Sequence, residues 1–378
     1  MKKTSILIAS ILLLLVVHGV ICLGEEQNKK QKTGFSFLIE PLWIGVAGLN
    51  AHAGDIVQIK SIYQPWNYND YSHVDEISYE PINHQMQKKI ILRLEAVYRK
   101  NQWGLGGSIW WYNTDSTRTG IITTPPRDPG LHTEYKNGLH LWDATFWPLQ
   151  TDLETSGYSP INYNLKNNLN THFIDLFGLR TLTSNADNQL EMIFGIKLGS
   201  MKNQRNENMN TKSRIYYSSY YRDANVSGEN NSATELSFIT GPFIGFQGHA
   251  SYKRIHIEGS ISQAIVRSKA KYSAALHYTE DIKYVDPSFP YKSHYGQDIV
   301  LSRNDTAVFP MTELKLRFGV NLLRNLSVGL GGFYSVWWNA PVASMQSYPE
   351  DIWNNLSIIS QERTLSFFGT SLEIGFSF

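Results

Sequence analysis

From Gly34 onward the apolar residues alternate with small or polar ones, the period-two signature of β-strands. The segments come in pairs. Lys89 to Arg99 puts Ile90, Leu92, Leu94, Ala96 and Tyr98 on one face and Arg93, Glu95 and Arg99 on the other. After Lys100-Asn101-Gln102, the next segment puts Trp103, Leu105, Gly107, Ile109 and Trp111 on one face, with Gly104, Gly106 and Ser108 opposite. That pattern predicts a hairpin. The unit recurs from Leu169–Leu182 into Leu190–Leu198, where Glu191 and Lys197 oppose Met192, Phe194 and Ile196. It recurs from Leu236–His249 into a strand with Ile255, Ile257 and Ile261 opposed to His256, Glu258 and Ser260. A further pair joins Thr312–Val320, with Glu313, Lys315 and Arg317 on its polar face, to Leu326–Val336. With Gly34–Ala47 first and Leu365–Phe378 last, about ten strands are predicted, and eight or twelve stay compatible with the pattern.

The connections alternate between a few residues and long polar stretches, roughly 48–85, 114–168, 202–233, 272–309 and 341–362. Short turns on one side and long loops on the other describe a transmembrane antiparallel up-and-down β-barrel with short periplasmic turns and long extracellular loops. An even count puts both termini on the periplasmic side. A soluble barrel alternates too, and its charged face would simply meet water. Aromatic spacing favours the membrane: Trp103 and Trp111 share a face and stand about 20 Å apart along a tilted strand, close to the separation of two interfacial girdles. Tyr334, Trp338, Phe376 and Phe378 are the other expected interface aromatics. The final segment, Leu372-Glu373-Ile374-Gly375-Phe376-Ser377-Phe378, alternates cleanly. It resembles the terminal strand through which the outer-membrane insertion machinery recognises barrels.

The start of the chain reads as an address. Lys2 and Lys3 precede an apolar run from Ile6 to Val17, and Cys22-Leu23-Gly24 supplies small residues before Glu25. This predicts a signal peptide over 1–24, a polar lead-in over 25–33 and a barrel over 34–378. Acylation at Cys22 is the competing reading, but Gly19-Val20-Ile21 makes a poor lipobox. Cleavage would remove Lys2, Lys3 and the single cysteine, taking the net charge from +1 to −1 (+1 minus 2). No disulfide framework is possible with a single cysteine, and the lack of a basic excess argues against a nucleic-acid partner. The expected partners are outer-membrane lipid, the insertion machinery and small solutes. With 13% aromatic and only 18% charged residues, wholesale disorder is excluded.

Several stretches resemble the Legionella-type major outer membrane protein family of barrels. They are Phe37-Leu38-Ile39-Glu40-Pro41-Leu42-Trp43 with Gly48-Leu49, and Gly104-Leu105-Gly106-Gly107-Ser108-Ile109-Trp110-Trp111. Asn170-Thr171-His172-Phe173-Ile174-Asp175-Leu176 with Phe194-Gly195-Ile196-Lys197, and Gly241-Pro242-Phe243-Ile244-Gly245, add to the likeness. Pro310-Met311-Thr312-Glu313-Leu314 and Trp337-Trp338-Asn339 complete it. The resemblance spans the strands but not the long loops. It implies a bacterial outer-membrane protein with a pore-forming role as one option, and it supplies no catalytic residues.

The candidate chemistry is a set of inward charges: Arg93, Glu95, Glu191, Lys197, Glu258, Glu313, Lys315, Arg317 and Glu373. A ten-stranded bore is little wider than the eight-stranded case that side chains fill, whereas porins with an aqueous channel use about 16–18 strands. Such charges are expected to pair into a polar plug or to line a narrow or gated passage. Asp175 sits on a strand whose alternation reads as imperfect, since Phe173, Phe177 and Leu179 share its parity. A local bulge or twist is expected there. A protease of the omptin kind would need an Asp–His couple and a second acidic pair. His277 beside Glu280 and Asp281 offers one histidine near two acids, and Asp143 has no second Asp two residues on. A surface adhesin or receptor acting through the Tyr-rich stretch Tyr216–Tyr221 is a third option. Gly104–Gly107 and Gly329–Gly332 lie inside strands, where small residues leave room for neighbours and are not nucleotide loops. Neither a cofactor, a metal nor an enzymatic activity is expected.

Overall fold

The structure, a computed structural model, describes residues 34–48, 54–63, 73–82, 86–122, 132–141, 145–146, 161–185, 187–216, 221–284, 292–323, 325–347 and 357–378. The signal peptide, the lead-in, Asp143 and the middle of the Tyr-rich stretch lie outside these residues.

Fourteen strands are present among the described residues. They are β1 (Gly34–Ala47), β2 (Gly54–Tyr63), β3 (His73–Ile82), β4 (Lys89–Lys100), β5 (Trp103–Ile122), β6 (His132–Leu141) and β7 (Thr145–Phe146). Then come β8 (Ile161–Ser184), β9 (Asn188–Tyr216), β10 (Tyr221–Tyr252), β11 (Ile255–Tyr284), β12 (Lys292–Leu323), β13 (Leu326–Ser347) and β14 (Ser357–Ser377). Ten of them close into a barrel in the order β1-β14-β13-β12-β11-β10-β9-β8-β5-β4. All its neighbours are antiparallel, and these are the ten strands read from the alternation. The seam is sealed by main-chain bonds in both directions, Phe35 N to Phe378 O at 3.0 Å and Phe378 N to Phe35 O at 2.8 Å. Closure leaves no free edge, the condition for a sheet to stand in lipid.

The expectation of long irregular loops needs correction. Most of 202–233 and 272–309 is strand: β9 and β10 stay paired up to Tyr216↔Tyr221, and β11 and β12 up to Lys283↔Lys292. Stretches 48–85 and 114–168 contribute β2, β3, β6 and β7, a separate four-stranded sheet in the order β3-β2-β6-β7. The stretch 202–233 lacks apolar alternation because both of its faces are rich in polar residues. On β9, Asn203, Arg205 and Glu207 are buried on the inner face, while Lys202, Gln204 and Asn206 are exposed on the outer one. A ladder of backbone bonds does not require greasy side chains where water can solvate one face.

The outer face of the lower barrel is greasy and open. Ile90 is 78% exposed, Leu105 71%, Leu330 66% and Ile265 62%. Of the aromatics read as interfacial, Trp103, Trp111, Tyr334 and Phe378 are exposed on this face, whereas Trp338 and Phe376 are half-buried. Trp338 donates its indole N–H to Thr312 Oγ1 at 3.0 Å.

Candidate functional site

Register alone brings the inner side chains of ten strands into layers, because each strand contributes every second residue inward. At the turn end lies a vestibule of about 480 Å³ whose wall includes Arg99, Glu191, Gln247, His249, His256 and Glu258. Arg99 grips Glu191 with two bonds, Nε to Oε1 at 3.2 Å and Nη2 to Oε2 at 3.0 Å. The rings of His249 and His256 stack with centroids 5.8 Å apart.

Arg317 on β12 forms the roof of this vestibule. Its guanidinium faces four carboxylates from four other strands: Glu258 at 2.8 Å, Glu373 at 3.2 Å, Glu40 at 3.5 Å and Glu95 at 3.6 Å. Arg93 shares two of them, Glu95 at 3.3 Å and Glu40 at 3.7 Å. Gly331 makes the space, since a Cβ there would collide with Glu373 Oε1 and Ser371 Oγ. One rung further out, Lys197 Nζ bonds Asp175 Oδ1 at 2.7 Å and Glu313 Oε1 at 2.9 Å. The open space beside these groups is about 30 Å³, room for roughly one water. Three cations therefore face six carboxylates inside the wall. Lys197 is bonded to two carboxylates, whereas Glu40 Oε2 meets Arg93 Nη1 and Arg317 Nη2 as an ion pair without a hydrogen bond; buried charges need such opposite partners.

Above the charged layers the lumen turns aromatic. Trp337 is fully buried, with ring centroids 4.8 Å from Phe367, 5.1 Å from Phe173 and 6.0 Å from Phe309. Trp110 stacks on Phe173 at 5.4 Å and meets Phe367 at 5.8 Å and Phe333 at 6.0 Å. The two layers interlock: Lys197 Nζ lies 5.6 Å from the rings of both Phe173 and Phe243, and the Arg93 guanidinium 5.8 Å from Phe333. A buried polar zone follows further out, where Asn230 donates to Glu207 at 2.9 Å.

Eight of the nine expected inward charges join these pairings. Lys315 lines the small space beside Arg317 and is half-buried. Three members lie outside that expected set: Arg99, read on the polar face of its strand, Asp175, read with a local bulge or twist, and Glu40, which the reading of the sequence missed. The bulge expected at Asp175 is absent: β8 and β9 keep register through Asp175↔Lys197, and the shift falls between Thr181 and Thr183. Its alternation is regular, with Phe173, Asp175, Phe177 and Leu179 all buried inward. The inner face was expected to be ionic, so its phenylalanines read as irregularity when they are the second half of the plug.

His277 also differs from the expectation. Its partner is Asp298 across the hairpin, not Glu280 or Asp281, and Asp281 instead meets His294 at 2.6 Å. Both couples stand on the outer face of the β11–β12 extension with every side chain more than half exposed. His172 is exposed on the outer wall and bonds Ser200 Oγ at 3.1 Å.

No protein-family model matches the chain, and no curated protein matches it. Among solved structures, it is similar to the outer membrane protease OmpT of Escherichia coli, at 11% identity and a TM-score of 0.39, covering 93% of this chain and 99% of that one. It is also similar to the transport unit of the autotransporter AIDA-I of Escherichia coli, at 9% identity and a TM-score of 0.27, covering 96% of each. A third likeness is to the CymD monoaromatic hydrocarbon channel, at 8% identity and a TM-score of 0.23, covering 92% of this chain and 89% of that one.

Proposed function

We propose that this protein is a bacterial outer-membrane barrel with a sealed lumen, a structural or interaction protein of the cell surface in which any solute passage is gated. The observation that carries this reading is the pair of plugs in series, the Arg93–Arg317–Lys197 ion layer beneath the Trp110–Trp337 aromatic layer. Membrane placement is supported by the open apolar band and by a closed sheet with no unpaired edge. In this setting lipid covers Ile90, Leu105, Ile265 and Leu330, and the β14 end at Phe378 is the handle for the insertion machinery. The likeness to the Legionella-type family belongs to the same proposal. Planar-bilayer recording of the purified chain tests it: a quiet membrane is expected, and stable porin-like current steps would overturn it.

A peptidase of the omptin kind is the second reading, favoured by the His277–Asp298 and His294–Asp281 couples. The couples are four residues apart along each strand, roughly 13 Å, so they do not share one water. On β10, Glu229 and Asn225 stand in register with His277 and Asp281, so a single acid and not an acidic pair adjoins the couples on that strand. The protein is therefore expected to leave peptide substrates intact. Cleavage by wild type that disappears in His277→Ala would reinstate the enzyme.

A further inference from the structure

The outer wall is not uniform where the greasy band ends. On β11 the outward positions run Ile255, Ile257, Gly259, Ile261, Gln263 and Ile265, and then change abruptly to Arg267, Lys269 and Lys271, all exposed. Two strands away, beyond β10, β9 adds exposed Lys202, which pairs in register with Glu235 of β10, itself opposite Lys271. The patch thus carries four cations against one carboxylate. Asp305, opposite Ala270 on β12, is already engaged by Arg303 at 2.8 Å and by the Thr306 N–H at 2.8 Å.

A second feature marks the same spot. Strand β10 slips register between Leu236 and Ile239, and Phe238 takes a φ of 55°, a backbone region costly for a bulky side chain. The bulge turns the Phe238 ring outward, 75% exposed, with Lys269 Nζ 5.8 Å from its centroid. Elsewhere the band ends differently. The β5–β8 wall has Trp111 beside His172, the β12–β13 wall has Trp338 bonded to Thr312, and Lys88 caps Trp43 at 5.1 Å.

We infer that the β9–β11 wall is a docking surface for the phosphate of an anionic lipid headgroup in the outer leaflet. This rests on the membrane placement proposed above. Acyl chains lie along Ile255–Ile265, the Phe238 ring packs at the boundary, and Arg267, Lys269 and Lys271 reach the phosphate. The three cations are spaced roughly 6.6 Å apart along one face, so adjacent ones can share a headgroup. Arg267 supplies a fork suited to phosphate oxygens. Each cation near an anionic surface raises occupancy about fivefold, hence roughly a hundredfold for three.

The test uses the full chain reconstituted in phosphatidylcholine vesicles with and without phosphatidylglycerol, with retained lipid counted by native mass spectrometry. Wild type is expected to keep phosphatidylglycerol over phosphatidylcholine. The variant Arg267→Gln/Lys269→Gln/Lys271→Gln should lose that preference roughly a hundredfold, while Lys88→Gln keeps it. Heat-modified gel mobility identifies folded barrels, and Arg267→Gln alone, with a loss of about fivefold, serves if the triple variant fails to fold. Equal retention of both lipids by an inserted wild-type barrel overturns the headgroup site while leaving the placement standing. Failure to enter any vesicle overturns both. Displacement of the bound lipid by inorganic phosphate at equal concentration would mean a plain anion site and overturn the lipid assignment.

Discussion

Replacing Trp337 with alanine probes the two-plug arrangement most directly. The side chain is fully buried among Phe173, Phe309 and Phe367, so little room exists for collapse around the gap. Removing an indole leaves a void on the order of 140 Å³, which at about 24 cal/mol per Å³ amounts to roughly 3.4 kcal/mol, within the ~3–5 kcal/mol range for buried aromatic truncation. Urea titration of vesicle-inserted protein reads that loss. Conductance reads something different. Beneath the void, Lys197 still holds Asp175 and Glu313, and Arg317 still holds four carboxylates. Trp337→Ala alone is therefore expected to be less stable yet electrically silent. Combining it with Phe367→Ala and Arg317→Gln opens both layers, and discrete current steps should appear. The reasoning fails if Trp337→Ala alone conducts as well as the combined variant, or if it loses less than about 1 kcal/mol, the size of an ordinary substitution.

Two other substitutions test the charged layers. Lys197→Met strands Asp175 and Glu313 in the wall, so a loss of about 3–5 kcal/mol is expected, with recovery when Asp175→Leu and Glu313→Gln are added; urea titration distinguishes the outcomes. Gly331→Ala places a methyl group where Glu373 and Ser371 meet, and should cost about 1–3 kcal/mol, whereas Gly332→Ala, with nothing near its Cβ position, should be close to neutral by the same titration.

The ten barrel strands and most of their facing could be read from the chain because a wall with an open apolar outer face and packed polar groups on the inner one imposes the strongest period-two contrast available. Arg93, Lys197, Arg317 and Glu373 were legible for that reason. Glu40 escaped notice because its neighbours Ile39 and Pro41 sit in a run too apolar to display a polar face. Phe173 escaped because an inward aromatic two residues from an inward aspartate breaks the contrast without breaking the strand, and Trp110 because it stands between two outward-reading apolar residues, Ile109 and Trp111. The outer halves of β9–β12 were read as loops, since Asn, Lys, Ser and Glu on both faces leave no pattern even where every residue is paired. No sequence rule reveals that Asp298 finds His277, because the pairing depends on how many residues each strand runs before it turns.

The long unbroken ladders between β9, β10, β11 and β12 restrict how these surface projections can evolve. Adding one amino acid midway along β10 would swap inside for outside at every position beyond it, throwing Asn230 into water and Asn231 into the packed interior. Length change along these ladders is therefore tolerated in matched pairs, while diversity along the ladders themselves must come from exchange of outward side chains.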